Sequence, residues 1–505
     1  MTAVICASAL LVAGTEAVAA PKNDPNAASK KFRKAVTPGG IGLHLDAFQK
    51  IADANDGTRA SGTPGYAASR DYVVKELRAA GYKPKVQTFA FPFFSENADA
   101  ELQRTAPSAK DYTLEEDFYT MEYSGSGEGE GPVEVVDTDL SPSETSTSGC
   151  ETADFTGFTA GAIALIQRGS CDFAVKAANA EEAGASGVVI FNRGTEGEDG
   201  PLNGTLGGPG VGIPVVGTSY AVGQELAQSG AEASVFTDTT SETRTTYNVT
   251  AETKKGNVDR VIMAGAHLDS VVEGAGINDN GSGSAAVLEM AQELAKEKKL
   301  RNQVRFAWWG AEESGLLGAE HYVADLAEND PATLDEIGAY LNFDMVGSPN
   351  YVRFVYDGDN STGEGAVGPA GSGDIEQLFT RYFTNQRLTS SPTAFDGRSD
   401  YGPFIDNGVP AGGLFTGAEG VKTAAEAREY GGVAGVAYDP CYHSACDDRD
   451  NISVKAIDEM SDAAAHVLYV LAQNRGLVQD TSKMKKSTTG AKIKAKDRTG
   501  HGALR

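Results

Sequence analysis

Four separated stretches of this 505-residue chain carry side chains able to hold a metal or move a proton. Residues 266–283 read AHLDSVVEGAGINDNGSG and contain His267, Asp269 and Asp279. The adjacent pair Glu312–Glu313 follows, then Asp344 in NFDMVG and His443 in DPCYHSACDD. Histidine nitrogen and carboxylate oxygen both bind zinc, at about 2.0–2.2 Å. Two such ions sharing a bridging carboxylate lie about 3.5–4 Å apart and clamp a water between them. The set holds no thiolate, so it reads as a catalytic rather than a structural zinc site. Singly these residues mean little: a histidine at a strand end is more often a satisfied loop residue, and a Glu–Glu pair is usually solvated surface. Their joint placement is the signal.

Hydrophobic periodicity supplies the elements that would bring them together. RVIMAGA, QVRFAWWG, AYLNFDMVG and AGGLFTG read as short apolar strands, with SAAVLEMAQELAKEKK and AIDEMSDAAAHVLYVLAQN as helices. The alternation predicts an α/β fold, a mixed, mainly parallel sheet covered by helices on both faces. Ligands of such sheets bind beyond the C-terminal strand ends, and His267, Asp269, Glu312–Glu313 and Asp344 all follow predicted strands. Upstream, residues 41–83 give two helices around the turn DGTRASGTPG, then the strand KPKVQTFAF. From 101 to 243 the texture changes to a Gly/Ser/Glu-rich stretch and strand–helix steps, with no histidine.

The formal charge is −27, from 43 basic and 70 acidic residues. A nucleic acid partner is therefore not expected, because phosphate binding needs a basic face. Residues 1–20 read as a secretory signal peptide ending in Ala17-Val18-Ala19, although a basic leading segment is missing. Residues 21–36 read as a disordered leader and 476–505 as a basic, disordered tail. No other apolar run approaches the ~20 residues of a membrane span. Of five cysteines, Cys6 would leave with the signal. The other four pair by sequence proximity as Cys150–Cys171 and Cys441–Cys446, the competing reading being four reduced thiols.

Seven stretches carry a resemblance: GTRASGTPGYAAS, MAGAHLDSVVEGAGINDNGSGSAAVLE, RFAWWGAEESGLLGAEHYV, YLNFDMVGSPN, FDGRSDYGPF, GVPAGGLFTGA and YDPCYHSACD. In this order they resemble the secreted bacterial dizinc aminopeptidases of metallopeptidase family twenty-eight. IALIQRGSCDF, KAANAEEAGASGVVIFN and IPVVGTS resemble a protease-associated (PA) domain, a β-rich α/β module inserted in secreted and membrane peptidases. The resemblance divides the chain into a peptidase domain over 37–100 and 244–475 and a PA insertion over 101–243. It implies that His267 and Asp344 bind one zinc, Glu313 and His443 the other, and Asp279 both. Glu312 would be the general base and Tyr442 would stabilise the oxyanion. Asp269 would orient a ligand, Arg398 the substrate, and Phe415 would wall an apolar pocket suited to Leu, Met or Phe. A cis peptide at Asp279–Asn280 is also implied. Some members bind calcium; Asp458 and Asp462, one helical turn apart, could aim at such an ion, though a solvated helix face explains them equally well. The implied partner is a peptide with a free N-terminus, acted on by a secreted monomer. Two readings compete: another zinc exopeptidase or glutaminyl cyclase chemistry on the same fold, and a non-enzymatic binding protein.

Overall fold

The structure is a computed structural model and describes residues 25–474. The expected signal peptide and basic tail lie outside the described residues. Three helices open the chain: α1 (Pro25–Arg33), α2 (Pro38–Asp53) and α3 (Pro64–Ala79). α2 and α3 start alike, at Thr37-Pro38 and Thr63-Pro64. Each threonine hydroxyl accepts a first-turn N–H, and each proline sits where an N–H would have no helical partner.

β1 (Lys85–Ala106) carries the chain out of this body into an insertion. There follow β2 (Lys110–Tyr112), β3 (Phe118–Thr120), β4 (Gly127–Val135), β5 (Ile163–Gln167), α4 (Phe173–Glu182), β6 (Gly187–Phe191), β7 (Val215–Thr218) and α5 (Tyr220–Leu226). β8 (Glu232–Glu252) returns, antiparallel to β1 from Ala106↔Glu232 to Lys85↔Thr250. Inside the insertion β4, β5, β6 and β7 are parallel neighbours and β3 closes the sheet antiparallel to β7. Cys150 and Cys171 are disulfide-bonded here.

The body resumes with β9 (Asn257–His267), α6 (Gly283–Ala295), β10 (Asn302–Trp309), α7 (Leu317–Asn329), α8 (Pro331–Asp335), β11 (Ile337–Phe343) and β12 (Phe354–Tyr356). Then come α9 (Ser372–Asn385), β13 (Ser391–Thr393), α10 (Tyr401–Asp406), β14 (Ala411–Phe415), α11 (Ala424–Tyr430) and α12 (Val454–Gln473). The body sheet runs β13-β12-β14-β11-β9-β10-β8. β14, β11, β9 and β10 are parallel; β12 runs antiparallel to β14 and parallel to β13, and β8 runs antiparallel to β10. The fold is thus the mixed, mainly parallel α/β sheet expected. β11 and residues 261–267 of β9 are buried at every position, because helices cover both faces.

β8 belongs to both sheets. It pairs with β4 over Glu232–Thr237 and with β10 over Val249–Glu252. Between these, Thr239–Thr246 has only Glu96–Phe89 of β1 beside it among the described strands. That two-stranded neck separates insertion from body. The expected boundaries at 101 and 243 fall inside β1 and β8 and are not opposite one another: Glu101 faces Phe236, and Thr243 faces Pro92.

The disordered leader expected over 21–36 is corrected for the residues described. α1 packs on α12 through Phe32, which stacks on Tyr469 with ring centroids 5.5 Å apart. Val36 is buried as well, and Ser29 Oγ lies 2.7 Å from His466 Nδ1. Two apolar anchors and one buried polar contact order a segment whose composition is otherwise polar.

Candidate metal centre

Parallel strands deliver the ligands to one edge. His267 is the last residue of β9 and Asp344 follows β11 directly. Glu312 and Glu313 come three and four residues after β10. Asp279 arrives on the irregular turn Ile277–Ser282 ahead of α6, and His443 on the loop between α11 and α12. Gly276 begins that turn at φ 57°, and a Cβ there would meet the Asp279 carbonyl oxygen at 2.3 Å. Only glycine fits both conditions, which explains one of the glycines in GAGIND. The Asp279–Asn280 peptide is cis, as the resemblance implies.

The side chains form two triads with Asp279 in common: His267–Asp279–Asp344 and Asp279–Glu313–His443. Asp279 Oδ1 lies 3.2 Å from His267 Nε2, and its Oδ2 lies 3.3 Å from His443 Nε2. Asp344 Oδ1 is 3.3 Å from His267 Nε2, and Glu313 Oε2 is 3.0 Å from His443 Nε2. Two ligands at about 2.05 Å from a tetrahedral zinc would be about 3.3 Å apart, so these spacings fit the ion. Asp344 Oδ1 and Glu313 Oε1 are buried without a hydrogen-bond partner. Buried carboxylate oxygens left bare are costly unless a cation meets them.

The electrostatics agree. Burial opposes the charge on His443, but Glu313 and Asp279 outweigh it and lift its pKa to about 10. Burial likewise opposes His267, and Glu312 and Asp344 carry it well above the usual imidazole range. Burial pushes Glu313 up to about 7 and Glu312 well above the ordinary carboxylate range, with Asp400 adding to the latter. Asp279 is held well below that range by His267 and His443 against the effect of burial. A buried site this rich in carboxylates favours cations.

Neighbouring groups fix the ligands. His267 Nδ1 sits 3.1 Å from the backbone oxygen of Asp269 and 3.7 Å from its carboxylate. Asp269 Oδ1 accepts the Glu312 amide at 3.4 Å, so it touches the candidate base as well as the ligand. Ser399 Oγ donates to Asp344 Oδ2 at 2.5 Å and accepts from Asn342 Nδ2 at 2.7 Å. Asn280 donates to the Phe343 carbonyl at 2.9 Å and accepts the Met345 amide at 3.2 Å, gripping both sides of Asp344.

A cavity of about 230 Å³ opens over the triads. Phe415 lines it as expected, with Phe354 stacked beside it at 6.1 Å and Tyr356, Tyr438 and Met345 completing the apolar surface. Arg398 donates from one nitrogen to the Tyr442 hydroxyl at 3.2 Å and pairs through the other with Glu419 at 2.7 Å. The Tyr442 ring stacks on His443 at 3.8 Å, inside the loop closed by the Cys441–Cys446 disulfide. Arg398, Phe415 and Tyr442 therefore line the same cavity as His267, Asp279, Glu312, Glu313 and Asp344.

Asp458 and Asp462 do not join it. The Arg33 guanidinium lies 3.4 Å from Asp462 Oδ2, and Tyr382 donates to the same oxygen at 3.3 Å. A cation of the chain itself, Arg33, thus already faces Asp462. Sequence reasoning also missed Ser399, Glu419 and Asp447. Ser399 and Asp447 lie in FDGRSDYGPF and YDPCYHSACD, beside Arg398 and Cys446, where no residue type or spacing marks them.

A model of peptidase family M28 matches residues 248–468, and a PA domain model matches residues 131–226. An aminopeptidase of Pseudomonas aeruginosa is 50% identical over 439 residues, 86% of this chain and 81% of its own. A leucine aminopeptidase 2 of Arthroderma otae is 42% identical, over 79% of this chain and 77% of its own. Among solved structures, an aminopeptidase from Aneurinibacillus sp. strain AM-1 superposes with a TM-score of 0.64 at 26% identity, covering 88% of this chain and 96% of that one. With its two triads at the strand ends and its inserted PA domain, the chain belongs to peptidase family M28.

Proposed function

We propose that this M28 peptidase is a secreted, dizinc aminopeptidase that removes large apolar residues, Leu foremost, from peptides with a free N-terminus. The observation that carries the reading is the division of Asp279 between two triads, one oxygen toward His267 and the other toward His443. In this reading His267, Asp279 and Asp344 would hold one zinc, and Asp279, Glu313 and His443 would hold the other. When bound, the two ions acidify water and polarise the scissile carbonyl.

The remaining work falls to the chain. Glu312, buried beside the triads, takes a proton from the attacking water on its carboxylate and returns it to the departing amine. The water's oxygen joins the carbonyl carbon as the C–N bond breaks, so a free amino acid and a shortened peptide leave. Tyr442 accepts a hydrogen bond from Arg398 and keeps its own hydrogen for the carbonyl oxygen as that oxygen gains charge. Arg398 thereby orients Tyr442, and Glu419 anchors Arg398. The carboxylates of Glu312 and Asp344 are suited to receive the substrate's ammonium. Phe415 and Phe354 offer an apolar wall to the first side chain.

Secretion is supported by the two disulfides. Among the described residues no helix is long and apolar enough to cross a membrane. The leucine preference rests on the apolar wall and on relatives named leucine aminopeptidase. We assign calcium no part, since Arg33 engages Asp462. A monomer is the proposed state.

Hydrolysis of leucine p-nitroanilide tests the reading. Activity should vanish on chelation and return with zinc, and N-acetyl-leucine p-nitroanilide should be inert. Folded protein with two zinc ions but no turnover of either compound would place another chemistry on the site.

A further inference from the structure

Asp447 carries an inference that deepens this reading and rests on its two-ion site. It lies four residues after His443, just beyond the Cys441–Cys446 disulfide, and is buried. Its two carboxylate oxygens are used on consecutive backbone amides. Oδ1 accepts from Asn278 N at 2.8 Å, and Oδ2 accepts from Asp279 N at 2.9 Å. Its own carbonyl accepts from Ile277 N at 3.1 Å. Three successive N–H groups of the turn that bears Asp279 thus end on one residue of the loop that bears His443. Arg59 lies fully buried nearby, donating to the carbonyls of Leu268, Ala275 and Gly276. Its charge complements the Asp447 carboxylate.

The two triads differ in what holds them. His267 and Asp344 sit on or beside adjacent parallel strands, so the sheet sets their separation. Asp279 and His443 both sit on loops, and Glu313 alone of that triad follows a strand closely. Nothing in the sheet fixes Asp279 Oδ2 against His443 Nε2. The Asp447 carboxylate does so, by fastening one loop to the amides of the other.

We propose that Asp447 is a positioning residue for the second metal, the one assigned to Asp279, Glu313 and His443. It shapes that site without touching the ion. A separate tie, from Asn278 Nδ2 to Asp439 Oδ2 at 2.6 Å, keeps the two loops docked when Asp447 is altered.

Asp447→Asn retains the shape but turns an NH2 group toward N–H donors, either Asp279 N or the pair formed by Asn278 N and Asn451 Nδ2, the latter donating to Oδ1 at 3.1 Å. After equilibration in a zinc buffer that keeps the wild type at two ions per chain, the variant should hold one. Chelator competition should show the Asp279–Glu313–His443 site losing about 10–100-fold in affinity, the range for groups that orient metal ligands, and the other site, which shares Asp279 but keeps His267 and Asp344 on the sheet, losing less. Asp447→Glu keeps the charge but lengthens the side chain and should give the same selective loss. It serves as the readout if the asparagine variant does not fold. Two zinc ions bound with wild-type affinity in a folded variant would overturn the inference. So would an equal weakening of both sites. A wild type holding fewer than two ions would overturn the dizinc reading itself, which is a different result from a two-zinc wild type matched by its variant.

Discussion

The insertion and the body both centre on four parallel strands with helices, yet their strand ends are employed differently. In the insertion the polar groups at those ends close loops. Gln167, the last residue of β5, accepts from Thr138 at 2.7 Å and donates to the Ser141 carbonyl at 2.9 Å. Arg168 donates to Asn192 at 3.2 Å, and Lys176 donates to the Ser148 carbonyl. In the body, Glu313 and Asp344 keep bare oxygens. Among the described residues, every buried carboxylate oxygen without a hydrogen-bond partner is in the body. Similar layering supports a scaffold in one region and a metal site in the other, so chemistry has to be read from the side chains rather than from the topology.

Substitutions can break or sharpen this contrast. The largest effect belongs to Glu312→Gln, expected to lower kcat about 10²–10⁴-fold, the usual range for losing a general base. Zinc content and the unfolding midpoint should not change. Near-normal turnover would remove Glu312 as the base. Phe415→Ala should reduce the preference for leucine over alanine substrates about tenfold, a size typical of small apolar differences in a pocket. An unaltered ratio of kcat/KM values would put the side-chain pocket elsewhere.

Arg33→Ala should destabilise the body by about 1–2 kcal/mol, from the hydrogen bonds lost at Tyr382 and Asp462. Added calcium should not restore the wild-type unfolding midpoint. Recovery with calcium would reinstate Asp458 and Asp462 as an ion site.

The smallest effect should come from the insertion. Burial pushes Lys176 down to about 8 from an ordinary 10.5. Between those values the unfolded chain holds a proton that the folded chain does not. Stability therefore rises with pH across that window, and below it the folded state bears the cost of a buried charge. Lys176→Met should remove that pH-dependent rise and leave turnover of leucine p-nitroanilide unchanged. A variant that follows the wild-type pH dependence would refute this.

The body's site was legible because its ligands follow apolar strands, where a charged residue contradicts its surroundings. His267 after RVIMAGA and Asp344 after AYLNF are such contradictions. The α/β alternation was legible for the same reason: burial on both faces writes strands as unbroken apolar runs. α1 was not legible, because Phe32 and Val36 are isolated in a polar segment and their docking depends on α12, more than 400 residues away. The neck was not legible because β1 and β8 cross two regions of different composition without interruption. Asp447 and Ser399 were hidden by their roles. Each acts through hydrogen bonds to a ligand or its backbone, and no spacing rule in the sequence marks such a bond.

A strand shared by two sheets also has a mechanical consequence. β8 runs from the insertion's β4 to the body's β10 without a flexible linker, so a load on the insertion travels along one continuous backbone to Ala251, which is paired with Phe306. Along this route the pairing of β1 and β8 is irregular between Glu96 and Glu101, at the insertion's end of the neck. Bulged, two-stranded ribbons favour twist. The ribbon is also anchored sideways, since Phe89, Phe91 and Phe93 of β1 pack against Ala311, two residues beyond β10.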